Sequence, residues 1–209
     1  KVLEYPNNKY SEDAMLMGAE MAYTAKDYEK ALHIYKQLKD KAASMERRQL
    51  AKTGMLRSAH MLGNEEEIIF TATDLLADTK LAPELSNEAH YYRAKAYLDA
   101  GKTDGAMEDL KILAKDTRNV YGAEAKYKVA QIYFDGGQTD KAEQEVLNYI
   151  EVSTPHTYWL ARSFVLLADV YMKLGRNLDA KQYLLSLKQN YQADDDIAGM
   201  IESLSLIHI

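Results

Sequence analysis

The sequence predicts an all-α fold, an α-solenoid of about five repeated helical hairpins. Pro is scarce, at 3 among 209 residues, so few positions interrupt a helix. Ala, Leu, Glu, Lys, Gln and Met are plentiful, which makes the local preference helical nearly throughout. Most tellingly, Gly63, Gly101, Gly137 and Gly175 recur at intervals of 38, 36 and 38 residues, each inside the same frame of small and aromatic residues.

Five residues after each glycine stands Ile68, Ala106, Ala142 or Ala180, and Ala31 is the glycine-free member of an earlier copy. Nine residues before that position stand Tyr97, Tyr133 and Tyr171, with Tyr23 eight before Ala31 and Ala59 as the exception. Twelve before it stand Ala94, Ala130 and Ala168. Four and seven residues after it come Tyr35 and Leu38, Leu110 and Leu113, Val146 and Tyr149, and Leu184 and Leu187, a spacing that lines one helical face. Each copy therefore reads as two amphipathic helices around a turn. The small residues let the backbones approach and the Tyr ring fills the gap beside them. Glycine at the end of the first helix supplies a left-handed cap, and Asn64 with Glu67 reads as a capping box.

The frame divides the chain into residues 1–10, read as the tail of a preceding repeat, and five copies at approximately 11–43, 44–82, 83–118, 119–155 and 156–193. Residues 194–209 read as a capping helix, started by Asp194-Asp195-Asp196. The end of that segment, Leu204 to Ile209, is apolar, out of register and expected to be foreign to the array. Lys1 as first residue, without an apolar signal region behind it, predicts a fragment or processed form whose array continues upstream.

The order small residue, tyrosine, turn glycine, alanine, carried best by Ala125 to Leu147 and Ala161 to Leu184, resembles the tetratricopeptide repeat family over roughly residues 11–191. The period exceeds the family's usual 34 residues. Together with Tyr5-Pro6 and Thr154-Pro155, it is similar to the bacterial envelope subgroup of BamD-like and CpoB-like proteins. The resemblance implies a right-handed superhelix that binds a protein or peptide, in the periplasm or at the outer membrane, with no catalytic residue to carry over.

It also implies that first helices line a concave groove. The groove row is then Met17 and Met21 in the first copy, and Thr53, Arg57 and His60 in the second. Tyr91, Lys95 and Leu98 follow in the third, Tyr127, Gln131 and Phe134 in the fourth, and Val165, Asp169 and Met172 in the fifth. These positions lie outside the packing frame, and their aromatic and Met content suits an apolar or extended peptide better than a clamped carboxylate.

Other chemistries find little support. With no Cys, thiol catalysis and thiolate metal sites are excluded. His33, His60, His90, His156 and His208 form no pair at metal-ligand spacing, so no metal or cofactor is expected. Ala100-Gly101-Lys102-Thr103 lacks the earlier glycine of a phosphate loop, since that position is Ala96. Glu65-Glu66-Glu67 fits a helix N-terminus better than a cation loop. A net charge of -6 opposes nucleic acid as a partner. The expected function is therefore a non-enzymatic interaction scaffold. A hydrolase on a helical scaffold, marked by a deep pocket with paired acids, and a helical-repeat RNA binder, marked by a basic stripe, are the alternatives. The frame predicts that Ala130→Leu or Ala142→Leu overpacks a hairpin and costs about 1–3 kcal/mol, read as a lowered urea midpoint.

Overall fold

The computed structural model describes residues 10–208, with side chains to Leu204. The described residues form eleven helices and no strand. The chain divides into two compact units, Lys1–Asp109 and Leu110–Ile209. The first contains α1 (Ser11–Thr24), α2 (Tyr28–Lys41), α3 (Met45–Leu62), α4 (Glu65–Leu76), α5 (Pro83–Asp99) and the start of α6 (Thr103–Leu113). The second contains the end of α6, then α7 (Val120–Asp135), α8 (Thr139–Ile150), α9 (Thr157–Lys173), α10 (Asn177–Asn190) and α11 (Ile197–His208).

Every hairpin closes by the same turn. Gly63, Gly101, Gly137 and Gly175 take φ of 64°, 70°, 73° and 75°, the left-handed region in which a residue without Cβ meets no steric penalty. The next backbone N–H reaches back along the helix, from Asn64 to Ala59, Lys102 to Tyr97, Gln138 to Tyr133 and Arg176 to Tyr171, at 2.7–3.0 Å. Lys26 makes the same turn without being glycine, at φ 62°, with the Asp27 N–H on the Ala22 carbonyl at 2.9 Å. The first copy thus registers on Lys26, and the residue equivalent to Tyr97, Tyr133 and Tyr171 is Ala22. Tyr23 is displaced by one position and packs edge-on against Tyr28 at 5.2 Å.

The frame residues are core. Ala31, Ile68, Ala106, Ala142 and Ala180 are all buried, as are Leu38, Leu75, Leu113, Tyr149 and Leu187 on the same second-helix faces. Gly54 on α3 is a point of close approach, because a Cβ there would clash with the Tyr35 ring of α2. The capping box at Asn64 forms by half. Asn64 Oδ1 accepts from the Glu67 N–H at 3.1 Å, but the Glu67 carboxylate turns to Lys36 Nζ at 2.6 Å and the Thr71 hydroxyl at 3.2 Å. At the other end, Asp195 Oδ1 accepts from the Ile197 N–H at 3.0 Å to start α11, and Leu204 packs against the second unit's core. Residues 1–9, read as the tail of an earlier repeat, and the side chains beyond Leu204 lie outside the described residues.

Three charged side chains, Lys52, Glu88 and Asp109, are buried within the first unit, each paired with an opposite charge. Lys52 Nζ donates to Asp74 Oδ1 at 3.0 Å, the Asp74 carbonyl at 3.1 Å and Asp78 Oδ1 at 2.7 Å. Asp109, fully buried, takes both Nε and Nη2 of Arg93 at 2.8 and 2.7 Å, with His90 Nδ1 at 2.7 Å from Oδ1. Burial alone raises the Asp109 carboxyl, but the bonds to Arg93 and His90 outweigh it and hold the group below 3.8.

Gly137 has nothing within 4 Å of a built Cβ, so its substitution tests backbone conformation alone. Gly137→Ala is expected to lower stability by about 1 kcal/mol and Lys26→Gly to raise it by about 0.5–1 kcal/mol, read as opposite shifts of the urea midpoint. Asp109→Asn breaks a buried ion pair and is expected to cost about 3 kcal/mol at pH 7. A depressed folded pKa stabilises above the unfolded value and is lost as pH falls through the folded one. The gap between wild type and Asp109→Asn should therefore narrow below about pH 4, checked by urea titrations at about pH 7 and pH 3.

Candidate functional site: the first-helix face

Counting back from each turn residue gives three positions on one stripe of the first helix. Ten residues back lie Leu16, Thr53, Tyr91, Tyr127 and Val165; six back lie Glu20, Arg57, Lys95, Gln131 and Asp169; three back lie Tyr23, His60, Leu98, Phe134 and Met172. The innermost position is largely packing. Tyr127, Thr53 and Val165 are buried, with exposures of 5%, 6% and 2%. For Tyr127 this corrects the expectation that it stands free of the packing frame. A 3.6-residue helix turns the position ten back toward the neighbouring first helix, and Tyr127 rests against Trp159 of α9 with ring centroids 5.6 Å apart.

The outer two positions stay at least partly open. In the first unit, Arg57 of α3 donates from Nε and Nη2 to both oxygens of Glu88 on α5, at 2.6 and 2.7 Å. That bond, with the charge of Glu88, raises the guanidinium further above its ordinary range. His60 is half-buried with its ring 4.3 Å from that of Tyr92, while Lys95 lies exposed over Tyr91 at 5.5 Å. Burial, reinforced by the charge of Lys95, pulls the His60 imidazole below 6.5. The second and third rows therefore meet in one patch of Arg57, His60, Tyr91 and Lys95, with half-buried Leu98 at its end.

In the second unit, Gln131 accepts from the Tyr127 hydroxyl at 2.9 Å and donates to Asp135 at 2.8 Å. Phe134 and Met172 are half-buried against the core, and Lys173 Nζ lies 4.9 Å from the Phe134 ring. Asp169 is half-buried on the same stripe. Arg162 joins this region, reaching the hydroxyls of Tyr158 and Tyr127 at 3.0 and 3.3 Å and Asp196 at 2.9 Å.

The first copy requires the largest correction. Met17 and Met21, expected in the row, are exposed at 62% and 70% but sit one position off it. Their equivalents in later copies face the preceding second helix: Gly54 abuts Tyr35 of α2, and Leu166 and Val170 are buried in the cluster shared with α8. The row there is Leu16, Glu20 and Tyr23, which sequence reasoning missed by registering on Tyr23. The signal that finds it is Lys26 standing where the other copies carry glycine. These three residues, with Tyr35, Leu50, Thr53, Gly54 and Arg57, line a groove of 420 Å³ between α1, α2 and α3. The groove sides are apolar and its rim carries one carboxylate and one guanidinium.

Glu29, Glu65 and Glu66 surround a separate depression at the hairpin turns, and all three are exposed or nearly so. Among the described residues, no three His, Asp or Glu side chains are grouped to hold a metal ion. No helix among them is long and apolar enough to cross a membrane.

Family models of the tetratricopeptide repeat match residues 88–116 and 161–189, covering most of α5 and α6 and of α9 and α10. No curated protein matches the chain in sequence. Among solved structures, a crystal structure of MamA superposes with a TM-score of 0.65 at 16% identity, over 97% of this chain and 98% of that one. The TPR-like repeats of a putative kinesin light chain from Podosopora anserina superpose with a TM-score of 0.60 at 18% identity, over 88% and 96%. A thermophilic TPR protein of Thermus thermophilus does so with 0.52 at 18%, over 94% and 100%. At such identities the likeness concerns the fold alone. The chain thus carries tetratricopeptide repeats, within an all-helical fold shared with solved repeat structures of that kind.

Proposed function

We propose that the chain is a non-enzymatic scaffold that binds a protein or peptide on the first-helix face of its units, at the positions six and three residues before the turns. Its repeats are of a kind typical of protein–protein interaction scaffolds. The observation that carries the reading is a contrast within one helical stripe. Position ten back is buried in three copies, whereas position six back holds Glu20, Arg57, Lys95, Gln131 and Asp169, polar and of changing charge from copy to copy. The pair with Glu88 accounts for Arg57, while the change of charge along the other copies fits recognition of an extended ligand. The same proposal includes a preceding hairpin of the same polypeptide, whose second helix would cover Met17 and Met21 as α2 covers the equivalent face of α3. It also includes the bacterial envelope subgroup, supported by the long repeat period.

Photo-crosslinking tests the face. A benzoylphenylalanine at Lys95 or Asp169 is expected to form adducts with a partner co-purified from the native cell, whereas one at Phe70 or Leu178, exposed on second helices, is not. Adducts from the second-helix positions alone would place binding on the other face and end this reading.

A further inference from the structure

The groove of the first two hairpins has a chemical preference of its own. Its walls are Leu16, Tyr23, Tyr35, Leu50 and Thr53, and its charged rim residues are Glu20 from α1 and Arg57 from α3. The guanidinium is already neutralised, since Nε and Nη2 are both committed to Glu88. Its remaining N–H groups, two on Nη1 and one on Nη2, can donate, without net charge behind them, to a group such as a peptide carbonyl. Glu20 is exposed and makes no ion pair or hydrogen bond among the described residues. It therefore sets the sign of the groove mouth.

Burial raises the phenols of Tyr23 and Tyr35 above 10, with the Glu20 carboxylate adding to the effect at Tyr35. Both rings thus stay protonated and present a neutral, partly apolar wall. An anionic ligand would meet an open carboxylate and an already paired guanidinium, while a cationic one gains an unpaired counter-ion beside surface that takes its aliphatic stem.

We propose that this groove binds a peptide segment in which a Lys or Arg stands beside a large apolar side chain. The cation pairs with Glu20, and its apolar neighbour fills the groove beside it, against Leu16, Tyr23 and Leu50. The inference rests on the scaffold reading above and names the partner chemistry of its first binding position.

The test is selection of phage-displayed random dodecapeptides on the purified 209-residue chain, followed by fluorescence anisotropy of the enriched peptides. The expected peptides place Lys or Arg beside Leu, Met or Phe. Their binding should weaken about 5- to 10-fold in Glu20→Lys and also fall in Leu50→Ser, a change at a half-exposed side chain that the fold tolerates. Glu29→Lys makes the same change in net charge away from the groove and should leave binding unchanged. An equal loss in Glu29→Lys would mean attraction by net charge only and would overturn the proposal. Enrichment of acidic peptides would also overturn it, as would peptides insensitive to Glu20→Lys and Leu50→Ser but weakened by Lys95→Ala or Phe134→Ala; the scaffold reading then survives. No enrichment of any peptide would sink both.

Discussion

The left-handed turn that ends each first helix is the constraint on which the rest of the structure depends. Its backbone bond, from the residue after the turn back to a carbonyl in the last turn of the helix, fixes where the first helix stops and where the second starts. Side chains then fall at set angles counted from that bond. The buried alanines, the second-helix ridge and the open stripe on the first helix all follow from one local geometry repeated five times. The turn is backbone chemistry first and glycine chemistry second, since Lys26 adopts it at φ 62°. Side chains with a Cβ tolerate that region at a modest cost, and the tertiary contacts of the hairpin outweigh it.

Close packing is the second determinant, and it shapes the groove. Gly54 lets the Tyr35 ring come within contact of the α3 backbone, where any side chain would hold the helices apart. The ring then forms a wall of the cavity in place of filling a gap inside the hairpin. The charges caught in this packing in the first unit are paired: Lys52 with Asp74 and Asp78, Asp109 with Arg93 and His90, Glu88 with Arg57. Such pairs join one helix to another and consume charges that would otherwise be offered to a ligand. Arg57 is the clearest case, and Glu20 is the contrast, a charge the packing leaves open.

The repeat frame was legible because it depends on local rules. Glycine at the turn, alanine where backbones meet and aliphatic residues at four and seven positions onward each have a short-range cause that leaves a fixed spacing. The register of the first-helix stripe was countable from the turn in the four copies that carry glycine, but not which of its residues stay open. It slipped by one residue in the first copy, where Tyr23 resembles the frame tyrosine and no glycine marks the turn. One residue is about 100° of helix, enough to exchange a groove position for a stacking position. Met17 and Met21 were therefore placed in the row in error, and Leu16, Glu20 and Tyr23 were passed over.

By itself the sequence determined the all-helical class, the spacing of the glycine turns, and the small and aliphatic residues that pack around them, because these follow from neighbours a few positions apart. Tertiary structure alone decided which stripe residues stay open. The burial of Tyr127, Thr53 and Val165 depends on adjacent helices, and the neutralisation of Arg57 depends on Glu88, 31 residues away. No spacing rule encodes such pairings, since each requires two separately placed helices to bring a particular donor to a particular acceptor.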